Sequence, residues 1–224
     1  MNPAFIGTAD RRIFSIYEPA APTRAPPRAA VLCYPWGEEY IYAHRSMRHL
    51  AARLAGRGFH TLRFDYFGTG DSGGEAAQTD VAGMASDTAT AIEVLRDMAG
   101  TSKVTLVGLR AGANVAASVA SRCPRDVASL LLWDPLAPGA EGEIEDPLAA
   151  RLLQGLGAID LRAALTALSG RTLVLVTGRQ QDSTTSAAAV TGEFISAPCP
   201  WIESATISGA LPVQVFRRME AWLQ

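Results

Sequence analysis

A chain of 224 residues, 48% apolar and 19% charged, has the composition of a folded globular protein with one substantial core, not the balance of a disordered one. Lys plus Arg number 20 and Asp plus Glu 22, and the net charge of −2 gives no basic footprint for nucleic acid. Three widely spaced cysteines fit neither a disulfide framework nor a zinc site, and the longest apolar run, 127–133, is too short to span a bilayer. Residues 1–10 lack the basic and then apolar pattern of a secretory signal, so the expectation is a cytoplasmic protein.

Strand-like and helical runs alternate along the chain. Short β-prone runs at 12–17 and 29–34 flank a connection with prolines at 19, 22, 26 and 27. A helix is expected over 42–57, with Met47, Leu50 and Leu54 at helical spacing and Gly56 and Gly58 ending it. A strand at 59–65 leads into a loop with Gly68, Gly70, Gly73 and Gly74. A long helix over 79–99 carries Val81, Met84, Thr88, Ala91, Ile92, Leu95 and Met98 on one face. A strand at 103–109 precedes a small-residue helix over 112–122, suited to close packing on a sheet. Runs at 127–133 and 171–177 are continuously apolar, as strands covered on both faces are. Last come a strand at 201–207 and an amphipathic helix at 213–223.

This alternation predicts an α/β fold with a mostly parallel central sheet of about seven or eight strands flanked by helices, in a single domain over 1–224. A short cap is expected over 136–169, after the sixth strand: an acidic stretch and then two helices. In such sheets the functional site lies at the carboxyl ends of the strands.

Three blocks carry a family resemblance. Leu50 to Asp65 reads LAARLAGRGFHTLRFD, and Asp65-Tyr66-Phe67-Gly68-Thr69-Gly70-Asp71-Ser72 follows the strand. Farther on, Gly108-Leu109-Arg110-Ala111-Gly112 lies between a strand and a helix, where a nucleophile elbow G-x-S-x-G would lie. From about residue 12 to 224 the chain resembles the α/β-hydrolases. The nearest likeness is the serine-aminopeptidase-like and exosortase-associated group. The resemblance implies the α/β-hydrolase fold and, in an orthodox member, a Ser-His-Asp triad. Ser72, Asp65 and Asp71 resemble positions that tie the glycine loop together and are not nucleophiles.

The departures from that pattern bear directly on function. Arg110 occupies the nucleophile position, and a guanidinium has no lone pair with which to attack. The histidine expected after the last strand is missing from Ile207-Ser208-Gly209-Ala210-Leu211-Pro212. The three histidines, His44, His49 and His60, all precede the elbow, and each is expected to be structural or on the surface. Asp182 and Asp134 are the candidates for the acid position. No metal-ligand spacing is present, and no cofactor is implied.

Arg110 stands at the amino end of a helix, where a guanidinium suits a carboxylate or phosphate. The loop Tyr34-Pro35-Trp36-Gly37-Glu38-Glu39-Tyr40 brings carboxylates toward the same mouth. Trp36, Gly37, Glu38, Glu39, Arg110, Ala111 and Trp133 are the candidate ligand-binding residues. The plain structural alternative is an inert ion pair of Arg110 with Glu38, Glu39 or Asp134. Three functional readings follow. The leading one is a non-hydrolytic binding or accessory protein for a small acyl or carboxylate ligand. A second is an enzyme of the fold that uses acid/base chemistry on an acyl or carbonyl compound. A third is a homodimer or a dimerising partner of an active hydrolase.

Overall fold

The computed structural model describes residues 1–137, 146–178, 192–202 and 208–224. Eight strands form one sheet: β1 (Asn2–Thr8), β2 (Arg11–Glu18), β3 (Arg28–Cys33), β4 (Phe59–Phe64), β5 (Val104–Leu109), β6 (Val127–Trp133), β7 (Thr172–Gly178) and β8 (Glu193–Ser196). Their order is β1-β2-β4-β3-β5-β6-β7-β8. The β1–β2 hairpin is antiparallel and joins β4 antiparallel, and every other pairing is parallel. The helices are α1 (Glu38–Gly56), α2 (Val81–Ala99), α3 (Ala111–Arg122), α4 (Pro147–Gly157), α5 (Leu161–Ala167) and α6 (Val213–Trp222).

Alternation along the central strands divides the core in two. Val31 and Cys33 of β3, Val104 and Leu106 of β5, and Leu130 and Leu132 of β6 join the layer containing α2, α3, α4 and α5. Their neighbours Leu32, Val107, Leu109, Leu131 and Trp133 face the opposite layer, under α1 and α6. Both faces of β3, β5 and β6 are therefore dry, and their continuous apolar runs are the sequence trace of that burial. Helix α6 contributes Val215, Phe216 and Met219 to the second layer, all essentially buried and each worth roughly 2 kcal/mol.

Two expected elements differ from the observed ones, and one observed strand was not expected. The first long helix begins at Glu38, not at 42, with Glu38 and Glu39 in its first turn, where their charge complements the helix dipole. Among the described residues β8 is the last strand, and Trp201 and Ile202 lie in a turn; the rest of the expected strand, 203–207, lies outside the described residues. β8 carries one half-buried and three exposed residues, so it has no apolar run to announce it. β1 was not anticipated either, because only Ile6 of its residues is even partly buried. The two helices expected between the sixth and seventh strands are present as α4 and α5, while 138–145 lie outside the described residues. Among the described residues no helix is long and apolar enough to cross a membrane.

Chain order places the site. From β3 the chain goes to β4 on one side, and later to β5 on the other. The crevice at the carboxyl ends of β3 and β5 is thus the topological switch point. At Gly112, near the start of α3, a Cβ would collide with the backbone oxygens of Cys33 and Tyr34 at the end of β3. Backbone atoms cannot swing aside, so Gly112→Ala is expected to destabilise the protein by roughly 3 kcal/mol in urea denaturation. A variant as stable as wild type would show that α3 does not press on β3 in solution.

Candidate functional site

The turn from β5 into α3 is an elbow with Arg110 at its apex. Gly108 permits it by the same logic as Gly112, because a Cβ there would strike Gly112 and Ala113. Arg110 has φ 53° and ψ −122°, a conformation that non-glycine residues rarely adopt. Its amide donates to the Trp133 carbonyl at 2.9 Å, and its carbonyl accepts from the Ala113 amide at 2.9 Å. Asp134, at the end of β6, has φ 45°. Among the described residues these two are the only non-glycines with positive φ, and they are neighbours across the same crevice.

The Arg110 guanidinium is held on three sides. Nε donates to Glu39 Oε1 at 2.9 Å. A terminal nitrogen lies 3.5 Å from the Asp134 carbonyl oxygen, a long contact. The guanidinium carbon lies 5.4 Å from the centre of the Trp201 ring, in cation–π range. Trp201 in turn packs edge-on against Trp133, with ring centres 6.2 Å apart. Desolvation raises the Glu39 pKa, and the Arg110 charge and hydrogen bond work against that rise.

Asp134 is buried and clamped by Thr177, whose amide donates to both carboxylate oxygens at 2.9 and 3.1 Å and whose hydroxyl donates to Oδ2 at 2.5 Å. Burial pushes its pKa up to about 6, against the pull of the Thr177 donors and of Arg110.

The sequence candidates separate on this geometry. Glu39, Arg110 and Asp134 come together. Trp36 is half-buried against the α2–α3 layer, and Gly37 (φ 70°) caps the start of α1 with open space where a Cβ would be. Glu38 is exposed beside them. Ala111 is fully buried, so what it can offer the crevice is its backbone amide at the helix start. Trp133 is a correction: it is fully buried and packs edge-on against Phe216 with ring centres 6.1 Å apart, because its position in β6 points it at the α1–α6 layer. It reaches the site through its carbonyl, which accepts from the Arg110 amide, and through its indole, which donates to Thr177 Oγ1 at 3.3 Å. Asp182 lies outside the described residues.

The histidines stand elsewhere. The His44 ring packs on Tyr34 and Tyr40, and its pKa is lowered by burial and by Arg63, with Asp65, Arg48 and Asp71 as its other charged neighbours. His60 Nδ1 meets the Tyr17 hydroxyl at 2.5 Å. Ser72 and Asp65 do tie the loop: Ser72 Oγ accepts from the Phe14 amide and donates to the Asp65 carbonyl, and Asp65 Oδ2 accepts from the Asp71 amide at 3.0 Å. The Tyr40 hydroxyl also donates to Asp65, at 2.8 Å, which fixes the first turn of α1 and hence the base of Glu39.

Three contributors escaped the sequence reading. Thr177 ends an apolar strand with nothing to mark it. Trp201 comes from far along the chain. Asn114, wholly buried, donates to the Leu136 and Leu156 carbonyls and accepts from the Leu136 amide, joining α3 to the segment after β6 and to α4. A lone Asn four residues past the elbow in an otherwise apolar, small-residue helix was the available signal. Among the described residues no group of His, Cys, Asp and Glu could hold a metal ion.

Residues 26–192 match the family described as serine aminopeptidase, S33. The chain belongs to this family of α/β-hydrolases. Solved structures agree on the fold. Est1E from Butyrivibrio proteoclasticus, with ferulic acid bound, is similar with a TM-score of 0.68 at 11% identity, over 98% of this chain and 99% of that one. XC6422 from Xanthomonas campestris, an α/β serine hydrolase without a lid, has a TM-score of 0.68 at 15% identity, over 99% and 93% of the two chains. An α/β serine hydrolase homologue from Coxiella burnetii has a TM-score of 0.63 at 14% identity, over 97% and 96%. No curated protein matches the sequence.

The turn between β5 and α3 carries the Arg110 side chain at its apex. The strain at residue 110 gives a direct test. Arg110→Gly relieves it and Arg110→Ala keeps it, while both remove the guanidinium. Arg110→Gly is expected to be the more stable by about 1–2 kcal/mol in urea denaturation, despite the entropy cost glycine normally carries. Equal or reversed stabilities would mean that the elbow is relaxed.

Proposed function

We propose that this α/β-hydrolase-fold protein binds a small anionic or acyl ligand at the elbow and does not run serine-hydrolase chemistry. The observation that carries this reading is Arg110 at the strained apex, with part of its side chain open to solvent. Strained backbone concentrates at functional sites, and here it persists without a nucleophile to present. A guanidinium at the start of α3 adds a full charge to the partial charge of the helix end, which favours a carboxylate or phosphate. The segment from β8 to α6 contains no histidine to act as a base.

A second reading rests on Asp134. With a pKa near 6, it is poised to exchange a proton close to neutral pH, as an acid/base enzyme acting on a carbonyl compound bound to Arg110 would need. Its two Thr177 donors favour the positioning role within the binding reading, because they leave the carboxylate fully engaged.

The proposal predicts that a fluorophosphonate leaves the protein unlabelled. Acetate or phosphate should raise Tm in a concentration-dependent way. Arg110→Ala should lose that response. Stoichiometric labelling of one serine, with matching turnover of a p-nitrophenyl ester, would contradict it.

A further inference from the structure

Building on the reading of Arg110 as an anion anchor, we propose that Glu39 is a displaceable internal counter-ion, which occupies Arg110 when the site is empty and yields only to a ligand that brings its own negative charge. The argument comes from how the acids of this protein are held. Asp87 is an immobile partner: its side chain is 1% exposed, and it takes two bonds from Arg11 and one from the Phe67 amide. Glu220 is similar, 4% exposed and shared by Arg53 and Arg57. In both, the acid is buried and the arginines lie on the solvent side.

The Arg110 pair has the opposite order, as the more exposed pairs Arg96–Asp126 and Arg218–Glu193 also do. Arg110 is 19% exposed and Glu39 29%, so the cation is the deeper member of the pair. Among the described residues Glu39 is joined to Arg110 by a single hydrogen bond, against three each at Asp87 and Glu220. Asp134, the other acid facing Arg110, cannot leave, because Thr177 holds both its oxygens. Glu39 can leave by side-chain rotation alone. It sits in the first turn of α1, next to the already solvated Glu38, on a backbone that the Tyr40–Asp65 bond keeps in place.

Electrostatics then sets the selectivity. A guanidinium keeps its charge, and leaving it unpaired in a partly desolvated crevice is costly. A neutral acyl compound that pushed Glu39 aside would impose that cost. An anion would not, since it replaces one carboxylate by another acceptor. Glu39 therefore acts as a filter that excludes neutral esters and amides and weakens every anion by the same internal competition.

Methanesulfonate, a small monoanion, and dimethyl sulfone, its neutral isostere, test this by isothermal titration with wild type, Glu39→Gln and Glu39→Ala. Both variants alter a partly exposed residue in a first helical turn, and circular dichroism checks that they fold. Methanesulfonate is expected to bind both variants at least tenfold more tightly than wild type, and dimethyl sulfone to be excluded by wild type and to bind measurably only where Glu39 has been replaced. If wild type binds methanesulfonate and both variants bind it equally or more weakly, Glu39 is not a competitor, and only the anion-anchor reading survives. If dimethyl sulfone binds wild type as well as methanesulfonate does, the charge filter is wrong. If methanesulfonate binds none of the three folded proteins, both readings fall.

Discussion

The backbone at residue 110 is forced into a shape that an L residue resists, and the site depends on that constraint. Gly108 and Gly112 let α3 begin in contact with the ends of β3 and β5. The approach is so close that the residue between them must turn through φ 53° to enter the helix. Whatever side chain sits there is lifted over the carboxyl edge of the sheet. In this chain that side chain is an arginine, so the fold's presentation device displays a fixed cation. Trp201 on one face, Glu39 at the edge and the Asp134 backbone then settle around a charge that cannot be titrated away.

The surrounding structure serves that placement at several removes. Tyr40 and Asp65 couple the first turn of α1 to the glycine loop after β4, so the base of Glu39 is anchored far from its carboxylate. The Trp133 indole donates to Thr177 and Thr177 donates to the Asp134 carboxylate, a relay that links the core under α6 to the crevice. Asn114 holds the segments on the far side of α3. The crevice thus has one carboxylate held by a single hydrogen bond and one clamped by Thr177 beside one guanidinium.

Much of the fold was legible because its central strands are buried on both faces and write themselves as apolar runs, as at 127–133. The elbow was legible because Gly108 and Gly112 bracket a strand-to-helix change. The edges were not: β1 and β8 bury almost nothing, so no periodicity distinguishes them from loop. Glu38 and Glu39 read as loop acids, although a glycine followed by two acids is a helix-start signal. Within the site, the sequence offered Glu38, Glu39, Asp134 or Asp182 as the partner of Arg110, and only the helical start of α1 selects Glu39. Which face of β6 Trp133 occupies depends on register, and a residue at a strand end can point either way. Thr177 and Trp201 are defined only by tertiary approach, for which a single sequence carries no mark.

The central claim is that Arg110 is a working anion anchor and not an inert ion pair. The side-chain Nε–H of Arg110 reports on this directly, since it is the atom that Glu39 holds in the free protein. Its nitrogen-15 resonance, assigned by loss in Arg110→Ala, should shift saturably on titration with acetate, while the Nε–H resonances of Arg11 and Arg53, locked by buried acids, stay in place. An Arg110 signal that is unmoved by acetate and by phosphate, or that moves only linearly and in step with every other arginine, would contradict the account.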